Sequence, residues 1–190
     1  MDVKSGATMR ERSPRGEGAR LRDDLVTAAR DLLVVREETA PFSLRSVAKA
    51  VGVSPAAVYR HFASAEELVE AVIADQNDSL RDALGAGSLA QLASRYAEWG
   101  LANRGSYVLL FESADRLAHR GGPGSPGWDM VESLAARLAH ERSIPLDEGT
   151  ILAIRMWTVL HGVISLRIHK PDLPWPTSLD EEIAELLRRL

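Results

Sequence analysis

Residues 43–68 read Ser43-Leu-Arg-Ser-Val-Ala-Lys-Ala-Val-Gly-Val-Ser54-Pro-Ala-Ala-Val-Tyr-Arg-His-Phe-Ala-Ser64-Ala-Glu-Glu-Leu68, and they decide the fold. Ser43 stands where a helix wants an N-cap, because its hydroxyl can accept a backbone N–H of the first turn. Phe42 before it and Val47 after it are spaced for a hydrophobic staple. The helix runs from Leu44 to Val51 and stops at Gly52, which can take the left-handed conformation of a tight stop. Ser54 caps again, and Pro55 takes the first helical position, where a missing N–H costs nothing. The third helix is expected over Pro55–Phe62. Two short helices joined by Gly52-Val53-Ser54 form a helix-turn-helix signature. Ser64 caps the next helix, with Glu67 three residues later to complete a capping box.

Outward from this stretch the periodicity remains helical. Leu21, Leu25, Ala28 and Leu32 recur at helical spacing and predict a first helix ending near Glu37. Met1–Ala19, rich in Ser, Gly, Arg and Glu, reads as a disordered, partly basic tail. The helix after Ser64 carries Leu68, Val72, Ile73, Leu80 and Leu84. Five more are expected at Leu89–Asn103, Ser106–His119, Trp128–Glu141, Asp147–Ile168 and Leu179–Leu190, separated by Gly105, Gly121–Gly127, Ser143–Pro145 and Pro171–Pro176. Gly122–Gly127 spells G-x-G-x-x-G, but it follows a helix and holds two prolines, so it reads as a loop. No strand pattern is visible. The expected fold is all-α, with a tail over 1–19, a three-helix helix-turn-helix unit over 20–65 and a helical bundle over 66–190.

Composition narrows the function. Of 190 residues, 45% are apolar and 26% charged, ordinary values for a globular chain. The absence of cysteine excludes disulfides, Cys-ligated zinc, iron–sulfur clusters and thiol nucleophiles. Residues 1–65 hold 11 Lys/Arg against 8 Asp/Glu, and residues 66–190 hold 12 against 19. A basic N-terminal part on an acidic body points to a polyanion contact at one end. The longest weakly polar run, Met156–Leu166, is shorter than the roughly 20 residues of a membrane span, and the N-terminus has no apolar leader core. The expectation is a cytoplasmic protein without membrane contact.

In a helix-turn-helix the first helix braces on the DNA backbone and the second enters the major groove, ~12 Å wide. Ala56 and Ala57 are small enough to let the second helix approach base edges. Arg60 can reach a guanine, and Tyr59 and His61 can reach phosphate oxygens. The segment resembles the DNA-binding domain of the TetR family of bacterial transcriptional repressors. The matching marks are Val47-Ala48, Gly52-Val53-Ser54, Val58-Tyr59, His61-Phe62 and Ser64-x-Glu66-Glu67-Leu68, in register from Leu21 to Ile73. The resemblance implies a homodimer on a palindromic operator and a C-terminal domain that binds a small-molecule effector and releases DNA. It also implies DNA contacts from Ser43 and Arg45, and a recognition surface of Ser54, Ala56, Ala57, Tyr59, Arg60 and His61. One departure stands out. The family often has Lys where this chain has Ala63 and Ala65, and Arg10, Arg12, Arg15, Arg20 or Arg22 are candidates to compensate.

Trp157-x-x-x-His161-Gly162 and Tyr107–Phe111 resemble the Trp-His-Gly subgroup of TetR C-terminal domains. Tyr96, Trp99, Tyr107, Phe111, Met130, Trp157 and His161 are candidate effector ligands, with a plain packed core as the alternative for each. An apolar or aromatic effector is expected, with Glu112 or His161 as a polar anchor. Gly162 is expected to permit close helix packing. Leu179, Ile183, Leu186 and Leu190 form a stripe that reads either as a dimer face or as packing within the chain. No cofactor or metal is expected: His119, His140, His161 and His169 lack ligand spacing. The G-x-S-x-G, H-E-x-x-H and P-loop patterns of enzymes are absent. A small helical enzyme, or a family member acting by protein contact, remains the alternative.

Overall fold

The computed structural model describes residues 17–34, 42–112 and 126–189. The expected end of the first helix near Glu37, the sixth helix beyond Glu112, the Gly-Pro loop before Pro126 and Leu190 lie outside these residues. The described elements are all α-helical: α1 (Glu17–Val34), α2 (Leu44–Val51), α3 (Pro55–Val58), α4 (Ala65–Leu84), α5 (Leu89–Ala102), α6 (Arg104–Phe111), α7 (Pro126–Arg142), α8 (Leu146–His169) and α9 (Leu179–Arg189).

Three boundaries differ in substance from the sequence reading, and others shift by one or two residues. α1 starts at Glu17, so Glu17–Ala19, expected in the tail, are helix. This first turn has a tertiary neighbour, since a Cβ on Gly18 would lie 4.0 Å from His61 Cε1. α3 is regular only to Val58, and tight turns continue to Phe62 through His61 N–H to Val58 O (2.8 Å) and Phe62 N–H to Val58 O (3.0 Å). Gly105 is no separator. It lies inside α6, and the break falls at Asn103, whose φ of −115° and ψ of 50° leave the helical region.

Two main cores organise the chain. The head core joins Leu25 and Ala29 of α1, Leu44 and Val47 of α2, Val58 and Phe62, Leu68 and Val72 of α4, and Leu109 of α6. The body core joins Leu80 of α4, Tyr96, Ala97 and Trp99 of α5, Tyr107 of α6, Met156, Leu160 and Ile164 of α8, and Ile183 of α9. A smaller cluster of Val131, Ala135 and Leu138 with Ala153 seals α7 on α8. α4 and α6 therefore each place side chains in both main cores.

α8 has a second property. An 18-residue window within Leu146–His169 has a mean hydropathy of 1.5, so by length and composition this one helix could cross a membrane. Counting only uninterrupted weakly polar residues misses it. Ala153, Met156, Leu160 and Ile164 face inward, while Ile151, Ile154, Val159 and Leu166 face outward.

Gly52 has φ +77°, and a Cβ there would meet nothing within 4 Å. Its N–H bonds back to Lys49 O and that of Val53 to Ala48 O, closing α2. Any side chain at position 52 thus strains the backbone alone. Gly52→Ala is expected to cost about 1 kcal/mol, read as a lower urea midpoint at unchanged m-value; an unchanged midpoint would contradict this account of the turn.

Candidate nucleic-acid interface and regulatory core

The helix-turn-helix is built from local hydrogen bonds. Ser46 N–H donates to Ser43 Oγ (3.2 Å) and Ser43 N–H donates to Ser46 Oγ (3.2 Å), a reciprocal capping box at the start of α2. Ala57 N–H donates to Ser54 Oγ (3.3 Å), with Pro55 at the first helical position. At α4, Glu67 N–H donates to Ser64 Oγ (3.2 Å), but the Glu67 carboxylate turns to the N–H of Ala63 (2.6 Å) instead of that of Ser64. The expected capping box at Ser64 is thus displaced by one residue on its return half.

Ser54, Ala56, Tyr59 and Arg60 are exposed on one end of the head, Tyr59 by 56%. Arg45 on α2 is also exposed, and His61 is half-buried. Ser43 is half-buried with its hydroxyl committed to the cap. Ala57 departs from the expected recognition surface. It is 7% exposed, because a helical step of about 100° per residue puts Ala57 and Val58 on the inner side once Ala56 and Tyr59 face out.

In the body, five of the seven candidate effector ligands come together. The rings of Tyr107 and Phe111 lie 4.9 Å apart, those of Tyr107 and His161 5.4 Å, Trp157 and His161 5.8 Å, Phe111 and Trp157 6.1 Å, and Tyr96 and Phe111 6.1 Å. These are direct packing distances, so the cluster is filled by its own rings. Trp99 instead turns toward α4 and donates to Ser79 Oγ (3.2 Å), and Met130 packs half-buried against the same body core.

Within the cluster the side chains hydrogen-bond to one another. Trp157 Nε1–H donates to the Tyr96 hydroxyl (3.0 Å), and the Tyr107 hydroxyl shares a 2.6 Å hydrogen bond with His161 Nδ1. Burial pushes the Tyr96 hydroxyl up to about 12 and raises that of Tyr107. Burial lowers the pKa of His161, against the opposing pull of Glu112. The rings are therefore uncharged at neutral pH. At their edge, Glu112 accepts from Ser165 Oγ (2.8 Å) and pairs with His169 Nε2 (2.6 Å), tying the end of α6 to α8. Burial alone would raise Glu112, but the bonds from His169 and Ser165 outweigh it and hold the carboxyl below its usual range. Sequence reasoning missed Ser165 and His169 as partners of Glu112, since residues more than 50 positions apart carry no common spacing signal.

The α9 stripe faces inward. Ile183 is 3% exposed in the body core, and Leu179 and Leu186 pack half-buried against it. These residues are engaged within the chain, as an amphipathic helix with only one apolar face must be. The unpartnered apolar face is on α8: Ile151, Ile154, Val159 and Leu166 are 39–50% exposed. They border a groove of about 760 Å³ between α8 and α9, lined by Ile154, Arg155, Val159, Val163, Glu181 and Leu186 among others. Gly162 lies within this outer face of α8, and a Cβ there would meet nothing within 4 Å among the described residues. The sequence did contain this signal: α8 is apolar on more sides than one core needs.

Residues 25–72 match the family model described as bacterial regulatory proteins of the tetR family, and residues 89–190 match the tetracyclin repressor-like C-terminal domain. The chain belongs to the TetR family. It is a DNA-binding transcriptional regulator. Among solved structures, a TetR-family member from Streptomyces coelicolor A3 is 22% identical with a TM-score of 0.67, over 88% of this chain and 96% of that one. A transcriptional regulator from Rhodococcus sp. Rha1 is 20% identical with a TM-score of 0.66, over 88% and 94%. The flavonoid-responsive regulator FrrA is 24% identical with a TM-score of 0.61, over 90% and 95%. At these identities the likeness is one of fold. No curated protein matches the chain.

The half-buried His161 is expected to make this regulator's stability pH-dependent. Its folded pKa lies below its ordinary value, so the unfolded chain takes up the proton first. The stability it contributes is complete above about pH 6.5 and is lost as the pH falls below that value. Urea unfolding from about pH 7.5 down to about pH 5.5 should show declining stability in the wild type and a flatter profile in His161→Gln. Parallel profiles would mean that His161 titrates as a solvated histidine.

Proposed function

We propose that this TetR-family regulator is a cytoplasmic homodimeric repressor that leaves a palindromic operator when a small, uncharged, aromatic or apolar effector enters the ring cluster of the body. One observation carries the proposal: α6 is shared by both cores. Its Leu109 is buried in the head, while its Tyr107 is buried in the body against Tyr96, Phe111 and His161. An effector that parts those rings must shift α6, and α6 cannot shift without disturbing the head. In a dimer the two recognition helices must sit about one DNA turn apart, ~34 Å, to enter successive major grooves, so small head rotations translate into lost operator affinity. The neutrality of Tyr96, Tyr107 and His161 supports an uncharged effector, and the Glu112 carboxylate at the edge disfavours an anionic one. The flavonoid-responsive neighbour is consistent with an aromatic choice.

The dimer is assigned to the outer face of α8 together with α9. Ile151, Ile154, Val159 and Leu166 supply apolar area that none of the described residues covers, and Gly162 removes a Cβ where a partner's helix would cross. A two-fold pair of such faces is self-complementary.

Two experiments test these assignments. Arg60→Ala should weaken binding to the operator by about 1–3 kcal/mol and relax preference at one base pair per half-site; intact affinity and preference in a gel shift would displace the recognition surface. Val159→Glu puts a charge into the proposed seam from an exposed position, so folding survives while association loses several kcal/mol, on the order of the cost of an unpaired buried charge. Sedimentation should then find a folded monomer, and a dimer of unchanged affinity would place the interface elsewhere.

A further inference from the structure

Taking the DNA-binding role as given, we infer that Arg22 contacts DNA phosphate and gives the head a second backbone anchor, on the α1 side of the recognition helix. The placement comes from two contacts. Gly18 lies against His61, and one turn further along α1 the Arg22 guanidinium carbon sits 5.0 Å from the centroid of the Phe62 ring. Residues four apart share one helix face, so this edge of α1 runs beside the end of the recognition segment, directly after Tyr59 and Arg60. Phe62 is 1% exposed and fixed in the head core, so it gives the guanidinium a rigid platform. Stacking on a ring leaves the N–H edges of Arg free, in the planar fork that suits phosphate oxygens.

The start of α4, which follows the recognition segment, is closed to phosphate. Position 63 and position 65 are alanines, followed by Glu66 and Glu67. The Ala63 N–H is already taken by the Glu67 carboxylate, and bonds from its own backbone N–H and from Ser64 hold Glu66 ionised below its usual range. A phosphate arriving there meets two carboxylates and an engaged amide. Arg22 is free to take over: it is exposed, and among the described residues it forms no ion pair. Asp23 and Asp24 follow in sequence, but each further residue turns about 100° around α1, away from the Phe62 face.

The test needs no operator, because phosphate contacts carry no sequence information. Fluorescence anisotropy of a mixed-sequence DNA duplex is measured against NaCl concentration for the wild type, R22Q and R22K, with the melting temperature of each. A lost phosphate contact makes the plot of log K against log salt shallower by about 0.9 per protomer. R22Q should show this change, and R22K, which keeps the charge, should restore the wild-type slope. An unchanged slope in R22Q, with or without a lower melting temperature, reduces Arg22 to a residue that stacks on Phe62 and overturns the inference. A slope in R22K as shallow as in R22Q would trace the change to the lost stack and overturn it too. Absence of salt-dependent binding in the wild type would remove the DNA-binding role itself, a result distinguishable from a wild type that binds with a slope R22Q leaves untouched.

Discussion

The structure hinges on eight residues, Arg104–Phe111, that belong to two cores at once. Leu109 completes the head core and Tyr107 anchors the body core. Gly105 presses this helix against α1 so closely that a Cβ would lie 2.0 Å from Val34 Cγ1. Interiors are close-packed and transmit displacement without yielding much. A shift of α6 against the body therefore becomes a shift of the head, because Leu109 of α6 is packed in the same core as the side chains of α1, α2 and α4.

The electrostatics of the body fit this role. Five rings meet around Tyr107 and Phe111, and their polar atoms bond to one another, so the cluster holds no net charge at neutral pH. The nearby charge is Glu112, held at the C-terminal end of α6 by Ser165 and His169 of α8. A carboxylate at a helix C-terminus sits at the unfavourable end of the dipole, and those two partners hold it there. α6 is thus fixed by a polar strut at one end and by close steric contact at the other. The ring cluster lies between them.

How much of this was legible in the sequence depended on the range of the interaction. Capping at Ser43, Ser54 and Ser64, the stop at Gly52 and Pro55 at a helix start are decided within four residues, and the structure has each of them. The ring cluster was legible as residues but not as geometry: nothing local tells that Trp99 turns to Ser79 while Trp157 turns to Tyr96. The Leu179–Leu186 stripe shows the limit most clearly. Helical periodicity states that one face of α9 is apolar, and it is silent on whether the cover is the same chain or another. Gly162 has the same limit: a glycine in a helix signals close approach without saying of what, and no described residue of this chain lies within 4 Å of a Cβ placed there.

The two faces of α8 give the remaining step. A helix apolar on opposite sides must be covered on both, and the described residues cover one, with α5, α7 and α9. Trp157 and His161 reach from α8 into the ring cluster, while Val159 and Gly162, one or two residues away, lie on the open side. In the proposed dimer that open side is held by the partner's copy, so α8 becomes the fixed frame and α6 the element that moves against it. The spacing of the two heads is then set from the seam outward: α8 positions the rings, the rings position α6, and α6 with α4 positions each recognition helix. In this proposal an effector acts at the middle of this chain of contacts, where the rings are neutral and held by packing and by the Tyr107–His161 and Trp157–Tyr96 hydrogen bonds, so parting them separates no charges.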